Sequence, residues 1–190
     1  MLSDRGQVAR DHLLRTHWVQ PARVLAGEYP GDRDPELALV KLHYLLSIGV
    51  RMFVDLTGPL DGLTDYRVQL DEAAAARQVA VAYVAHPMRD AVSLEVAEVA
   101  RVVADIRAGF AHGAVYVHCW RGVGRTGRVV GHLLMSDGMS SESATAALMP
   151  LSEGVPEADA QTLELMLRLD ALRQQAADPG SAAGGADAPA

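Results

Sequence analysis

The residues His118-Cys119-Trp120-Arg121-Gly122-Val123-Gly124-Arg125-Thr126-Gly127 bring a thiol, two guanidinium groups, a hydroxyl and several glycines into one short segment. A thiol at a helix amino terminus has its thiolate stabilised by unpaired backbone N–H groups and by the positive end of the helix dipole, which lowers its pKa from ~8.5 to ~3.5–7.5. Cys119 in such a place is a nucleophile at neutral pH. The glycines let the consecutive N–H groups of Trp120, Arg121, Gly122, Val123 and Gly124 turn inward as a concave anion site, which takes phosphate without a metal. At its far end the guanidinium of Arg125 can fork onto two phosphate oxygens and favour the charge that spreads over them during transfer. A lysine lacks that planar match. Thr126 is placed to donate its hydroxyl to the thiolate, and His118 to orient the loop. As the lone cysteine, Cys119 can enter neither an internal disulfide nor a four-cysteine metal site.

Other readings of the segment compete. A free cysteine is commonly a small buried hydrophobe, but Arg125 and the glycines behind Cys119 favour reactivity. Gly122-Val123-Gly124-Arg125-Thr126-Gly127 fits G-x-G-x-x-G, yet that fingerprint needs an acidic residue ~20 positions on, at the end of a second strand. The residues after Gly127 stay helical or turn-like to Met149. The other phosphate loop, G-x-x-x-x-G-K-[ST], fails because no lysine follows the glycines. Arg121, within the loop, can contact a second anionic group of a substrate or be solvated; Arg89 and Arg128, the latter on the following helix, read as solvated surface charges. Trp120 either packs against the loop or stacks on a substrate ring.

A departing alkoxide or phenolate must be protonated as its P–O bond breaks, so a general acid is needed opposite Cys119. His86-Pro87-Met88-Arg89-Asp90 supplies Asp90, in a loop after a strand whose end is expected on the same sheet edge. The bland alternative is an acid at a helix start beside Ser93. Asp55 also ends a strand and is the second candidate.

The elements that position these residues follow from periodicity and punctuation. Asp34-Pro35-Glu36 starts a helix carrying Leu39, Leu42 and Leu46, which Gly49 closes. Val50 to Leu56 reads as a strand, about Asp65 to Gln78 as a helix, and Val79 to Val84 as a strand stopped at His86-Pro87. Ser93 caps a helix with Val96, Val99, Val103 and Ile106 on one face. Ala114 to His118 is a short central strand and Thr126 to Met135 a helix. A short helix spans Ser141 to Met149, and a last one follows Pro156 with Ala158, Thr162, Leu165, Met166, Leu169 and Leu172 inward. Alternating strands and helices imply an α/β fold: a single central, mostly parallel sheet flanked by helices, with ligands beyond the carboxyl ends of the strands.

A chain of 190 residues with 49% hydrophobic and 22% charged residues suits one globular domain. No run approaches the ~20 apolar residues of a membrane span. Met1-Leu2-Ser3-Asp4-Arg5 does not resemble a secretory signal, so a cytoplasmic location is expected. A formal charge of -7 argues against general nucleic-acid binding, and any anion site must be local. Residues 176–190 contain only Ala, Gly, Asp, Pro and Ser, a composition expected to be disordered.

His118-Cys119, five residues, then Arg125-Thr126-Gly127 resembles the signature of the protein tyrosine and dual-specificity phosphatase superfamily. The resemblance implies a nucleophilic Cys119, phosphate held by the loop amides and Arg125, a hydroxyl at Thr126 that assists breakdown of a thiophosphate intermediate, and no metal or other cofactor. The family's acid stands in a loop some thirty residues before the cysteine, where this chain has Asp90. Phe53-Val54-Asp55-Leu56-Thr57 resembles the family's strand ending in Asp-Leu-Thr, which makes Asp55 structural. Leu25-Ala26-Gly27-Glu28-Tyr29-Pro30 resembles the lead-in of the smaller, dual-specificity-like members. Gln161 stands where members often carry a water-positioning Gln, although a helix-surface role explains it equally. The implied organisation is an extension over 1–17, a phosphatase domain over 18–175 and the tail. The implied partner is a phosphorylated protein or peptide; Arg121 keeps inositol phosphates and phosphoinositides open. A catalytically weak phosphoprotein-binding module and a rhodanese-like sulfur transferase are the competing classes, and the Arg125-Thr126 ending favours phosphate over the latter.

Overall fold

Period-two alternation along the strands gives the sheet two apolar faces. The structure, a computed structural model, describes residues 13–89, 95–153, 167 and 170. Its strands are β1 (Thr16–Gln20), β2 (Val24–Gly27), β3 (Val50–Asp55), β4 (Ala82–Ala85) and β5 (Ala114–His118), ordered β1-β2-β5-β3-β4. Among the described residues only the β1–β2 pair is antiparallel. The expected α/β architecture is therefore present, with β5 at its centre.

Val24, Ala26, Met52, Val54, Val115 and Val117 point to one face, where they pack with helices α3 (Val96–Gly109), α4 (Gly124–Ser136) and α5 (Ser141–Leu148). Leu25, Phe53, Ala114 and Tyr116 point to the other, against α1 (Pro35–Ser47) and α2 (Arg67–Arg77). Each face excludes water from contiguous apolar area, the main favourable term in folding. Short 3-10 helices, Pro59–Asp61 and Met149–Ser152, follow β3 and α5.

Several expectations hold closely: Asp34 caps α1 through the Glu36 N–H, and Gly49 follows with φ +97°. Others shift. The fourth strand starts at Ala82 rather than Val79, because the Val79 N–H donates to the Ala74 carbonyl in the cap of α2 and is lost to the ladder. The β1–β2 hairpin is absent from the periodicity reading. β1 is half-buried at every position, and its turn uses Ala22 at φ +57° instead of a glycine. Ser93 lies outside the described residues, as does the expected inner face of the last helix, Ala158, Thr162, Leu165, Met166, Leu169 and Leu172. Leu167 and Asp170, both buried, occupy positions that stripe did not include. Leu167 fits against Gly131 of α4, where a Cβ would lie 2.4 Å from its Cδ2.

Candidate active site

Parallel register sets His118 beside Gly27 of β2 and Asp55 of β3, and Asp55 beside Ala85 of β4. Four strands thus end along one edge, the position at which open α/β sheets bind ligands. Cys119 is the first residue beyond it. The following loop is fastened on both flanks: Leu56 N–H donates to the His118 carbonyl at 2.9 Å, and Tyr29 N–H to the Trp120 carbonyl at 3.0 Å. Gly122 sets its curvature. Its φ is +76°, and a Cβ there would lie 2.3–2.6 Å from backbone atoms of Gly27 and Glu28, so no other residue fits.

The loop runs into α4, which Val123 precedes without any side-chain cap. Helix starts leave four N–H groups unpaired, and a Ser, Thr, Asp or Asn commonly satisfies one of them. Among the described residues no side chain takes that place here, an arrangement that suits an anion. Cys119 is nearly closed to solvent, and Val123 and Thr126 are buried with it. The Thr126 hydroxyl has no hydrogen-bond partner among the described residues, so the expected bond to Cys119 is not made. Trp120 and Arg121 stand at the exposed rim, with the Arg121 guanidinium 5.9 Å from the indole centroid.

Arg125 is buried and held from two sides. Nη1 and Nη2 donate to the two carboxylate oxygens of Asp61, each at 2.8 Å, and Nη1 also reaches the Met88 carbonyl at 2.8 Å and the Leu56 carbonyl at 3.2 Å. Burial opposes charge on both partners. Hydrogen bonds from Arg125 and the Gly58 N–H nonetheless hold the Asp61 carboxyl below the usual carboxylate range, and Asp61 with Cys119 raises Arg125 above its ordinary value.

His118 is closed to solvent. Its Nε2 lies 2.7 Å from the Tyr66 hydroxyl, and its Nδ1 is 3.8 Å from Asp55. Burial pushes its pKa down to about 4 against the opposing pull of Asp55, so the ring is neutral at pH 7. Asp55 is buried and fully engaged, accepting from the Thr57 N–H and hydroxyl and from Tyr83 at 2.6–2.8 Å. That environment agrees with a structural Asp55.

The structure therefore gathers His118, Cys119, Gly122, Val123, Gly124, Arg125 and Thr126 at one strand end. Asp90 and Gln161 lie outside the described residues. Arg89 is exposed, as expected. Arg128 is not the solvated charge its sequence position suggested. It is buried, with Nε and Nη2 each 2.9 Å from Asp170, because Leu167 and Asp170 cover α4 on that side. Sequence reasoning also missed Tyr66 and Asp61. A signal for Asp61 existed in Gly58-Pro59-Leu60-Asp61, a helix-start pattern with an acid at its third position; Asp61 indeed accepts from the Gly58 N–H at 2.8 Å.

A family model described as Swiss Army Knife protein, DSP-PTPase phosphatase domain, matches residues 14–181. The chain belongs to this family. The superfamily resemblance carried by the cysteine loop is thereby borne out. No curated protein sequence matches the chain significantly. Solved structures show the same fold for the DSP-PTPase domain. TpbA of P. aeruginosa shares 22% identity over 86% of this chain and 91% of its own, with a TM-score of 0.61. Tk-PTP in its active form shares 20% over 84% and 97%, with a TM-score of 0.59. PTPMT1 in complex with PI(5)P shares 15% over 84% and 99%, with a TM-score of 0.54. No helix among the described residues of the DSP-PTPase domain is long and apolar enough to cross a membrane.

Proposed function

We propose that this DSP-PTPase domain hydrolyses phosphate monoesters through a phosphocysteine at Cys119, acting on phosphotyrosine or phosphoserine/threonine proteins. The observation that carries the reading is the place of Cys119, between the end of the central strand and the uncapped amino terminus of α4, with Arg125 closing the same loop. The loop amides and Arg125 hold the phosphoryl oxygens, and the Cys119 thiolate attacks phosphorus. As the S–P bond forms, the P–O bond to the leaving group breaks, and Asp90 gives that oxygen its proton. A water then attacks phosphorus and loses its proton to Asp90, while the S–P bond breaks and inorganic phosphate departs. His118 orients the loop from below, Gln161 positions the water, and Thr126, whose buried hydroxyl has no partner among the described residues, turns it to the thiolate as the S–P bond breaks. No metal enters either step.

Trp120 and Arg121, exposed beside Cys119, form the surface on which a phosphopeptide lies. The exposed Arg121 also supports a second reading, a phosphatase of inositol phosphates or phosphoinositides. A TpbA form with its cysteine replaced by serine binds phosphotyrosine, and PTPMT1 binds PI(5)P, so the fold accommodates both chemistries.

The test is release of phosphate from p-nitrophenyl phosphate in the presence of chelator, with inhibition by vanadate. Turnover that survives Cys119→Ser overturns the mechanism, and vanadate binding without turnover indicates a phosphoprotein-binding module instead. Phosphopeptides and inositol phosphates supplied at equal concentration then rank the substrate classes, and strong preference for the latter moves the assignment to the second reading.

A further inference from the structure

Carbonyls of the cysteine loop are tied down from outside it. The His118 carbonyl accepts from the Leu56 N–H and the Trp120 carbonyl from the Tyr29 N–H, both backbone groups just beyond neighbouring strands. The Arg121 carbonyl accepts instead from a side chain: Nη2 of Arg15, 106 positions earlier, at 2.5 Å. Arg15 stands immediately before β1.

Arg15 is itself held at both ends. Its carbonyl accepts from the Glu28 N–H at 3.1 Å, and its own N–H donates to Glu28 Oε1 at 3.1 Å. Its Nη2 lies 3.4 Å from Glu28 Oε2, and its Nη1 reaches the Glu153 carbonyl at 3.5 Å. Glu28 is the residue before Tyr29, so the side chain that pins Arg121 and the amide that pins Trp120 are anchored at one place, on the β2 flank of the loop.

The peptide between Arg121 and Gly122 needs such a hold. A peptide unit turns about the ψ of the residue before it and the φ of the residue after it, and here the latter is a glycine at φ +76°. With no Cβ, glycine accepts either sign of φ, so this unit is easily reversed. Because the unit is planar and trans, the Gly122 N–H points opposite to the Arg121 carbonyl. We propose that Arg15 is a positioning residue for the cysteine loop: by holding the Arg121 carbonyl toward the β2 flank, it keeps the Gly122 N–H turned to the other side, into the anion cradle. This rests on the phosphate-binding reading of the loop and adds to it a residue that touches no substrate. A donor oriented before the anion arrives needs no reorganisation on binding or during phosphoryl transfer.

Arg15→Met keeps the aliphatic stem and removes the donor. The Arg15 and Glu28 side chains are 31% and 32% exposed, so the substitution strands no buried charge. It is expected to weaken tungstate binding and to lower kcat/KM on p-nitrophenyl phosphate, each by about ten-fold, the scale of one hydrogen bond to a charged group. The deciding readout is the amide spectrum of isotope-labelled protein titrated with tungstate. The wild-type Gly122 N–H should move strongly on binding; in Arg15→Met saturated with tungstate that shift should be lost while those of the other loop amides persist. Glu28→Gln, which breaks the exposed ion pair but leaves the Arg121 contact, should bind tungstate as the wild type does, since such pairs contribute little. A Gly122 shift in Arg15→Met equal to that of the wild type overturns the proposal. So does a loss spread evenly over the loop amides, which a distant charge would give, or an equal loss of affinity in Glu28→Gln. Should Arg15→Met fail to fold, Arg15→Gln, whose shorter side chain cannot reach the Arg121 carbonyl, is judged by the same outcomes. Wild-type protein that shows the Gly122 shift with tungstate but releases no nitrophenol sinks the hydrolytic reading alone; wild-type protein that binds no tungstate sinks the cradle and this proposal together.

Discussion

The Tyr66 hydroxyl and Nε2 of His118 are 2.7 Å apart, and both residues are sealed from solvent beneath the cysteine loop. Tyr66 and His118 also meet edge to face, as do Tyr29 and His118, and Tyr116 packs tilted against the same ring, so the imidazole is fixed by one hydrogen bond and three rings. The ring sits immediately before Cys119, and its orientation sets where the loop begins.

That burial makes stability depend on pH. The folded-state pKa of His118 is lowered to about 4, chiefly by desolvation, with Arg125 adding to the shift and Asp55 and the Cys119 backbone opposing it. Between about 4 and the unfolded value of ~6.5 the unfolded chain binds a proton that the folded chain refuses. The contribution is complete above the upper limit, declines as pH falls through this window and is spent below the lower one; the total is on the order of 3 kcal/mol. Urea midpoints at pH 7.5 and 4.5 should differ more for the wild type than for His118→Gln. His132, whose pKa is also lowered by burial, is common to both proteins and cancels. Equal losses in the two would reassign the effect.

Gly122→Ala should abolish turnover while the domain stays folded. Its Cβ would have to enter the 2.3–2.6 Å gap to Gly27 and Glu28, and φ +76° is a conformation that alanine adopts at a cost of ~1–2 kcal/mol. Relief comes by moving the loop away from β2, which spoils the anion site before it threatens either core. Nitrophenol release and a near-UV spectrum measured together check this, and wild-type kcat in the variant contradicts it.

Arg128→Met is expected to lower stability by ~3–5 kcal/mol, because it removes the cation that two 2.9 Å hydrogen bonds tie to the buried Asp170 carboxylate. Both side chains are at most 2% exposed, so water cannot take over the lost bonds. Replacing both partners, Arg128→Met with Asp170→Leu, should recover much of the loss, since the buried carboxylate is then removed together with its cation. Denaturant midpoints of the three proteins test this, and a double variant no better than the single one refutes the explanation.

Asp90→Asn should lower kcat by ~10²–10⁴-fold and remove the limb of the pH–rate profile that reports a protonated acid, with vanadate affinity little changed. The Met88 carbonyl accepts a 2.8 Å bond from Arg125, so Met88, two positions before Asp90, lies against the arginine of the cysteine loop. A variant with an unaltered profile would move the acid role elsewhere.

Much of this protein can be read without coordinates. The apolar run Ala114 to His118, the glycines after Cys119 and the helical pattern beyond Thr126 mark a strand–loop–helix unit, because each depends on residues adjacent in the chain. The same locality places the cap at Asp34 and the turn at Gly49. The β1–β2 hairpin escaped notice because a half-exposed edge strand carries little periodicity and its turn lacks a glycine.

The chain's own order of residues thus determined the cysteine loop, the central strand beneath it and the superfamily, all of which reside in contiguous segments. The partners of that loop were decided only in three dimensions. Asp61 meets Arg125 across 64 positions, Tyr66 meets His118 across 52, and Asp170 turns Arg128 from an apparent surface charge into a buried pair across 42. A side-chain pattern records which face a residue occupies, but it carries no information about which distant segment packs on that face; the sheet order and the helix packing supply it.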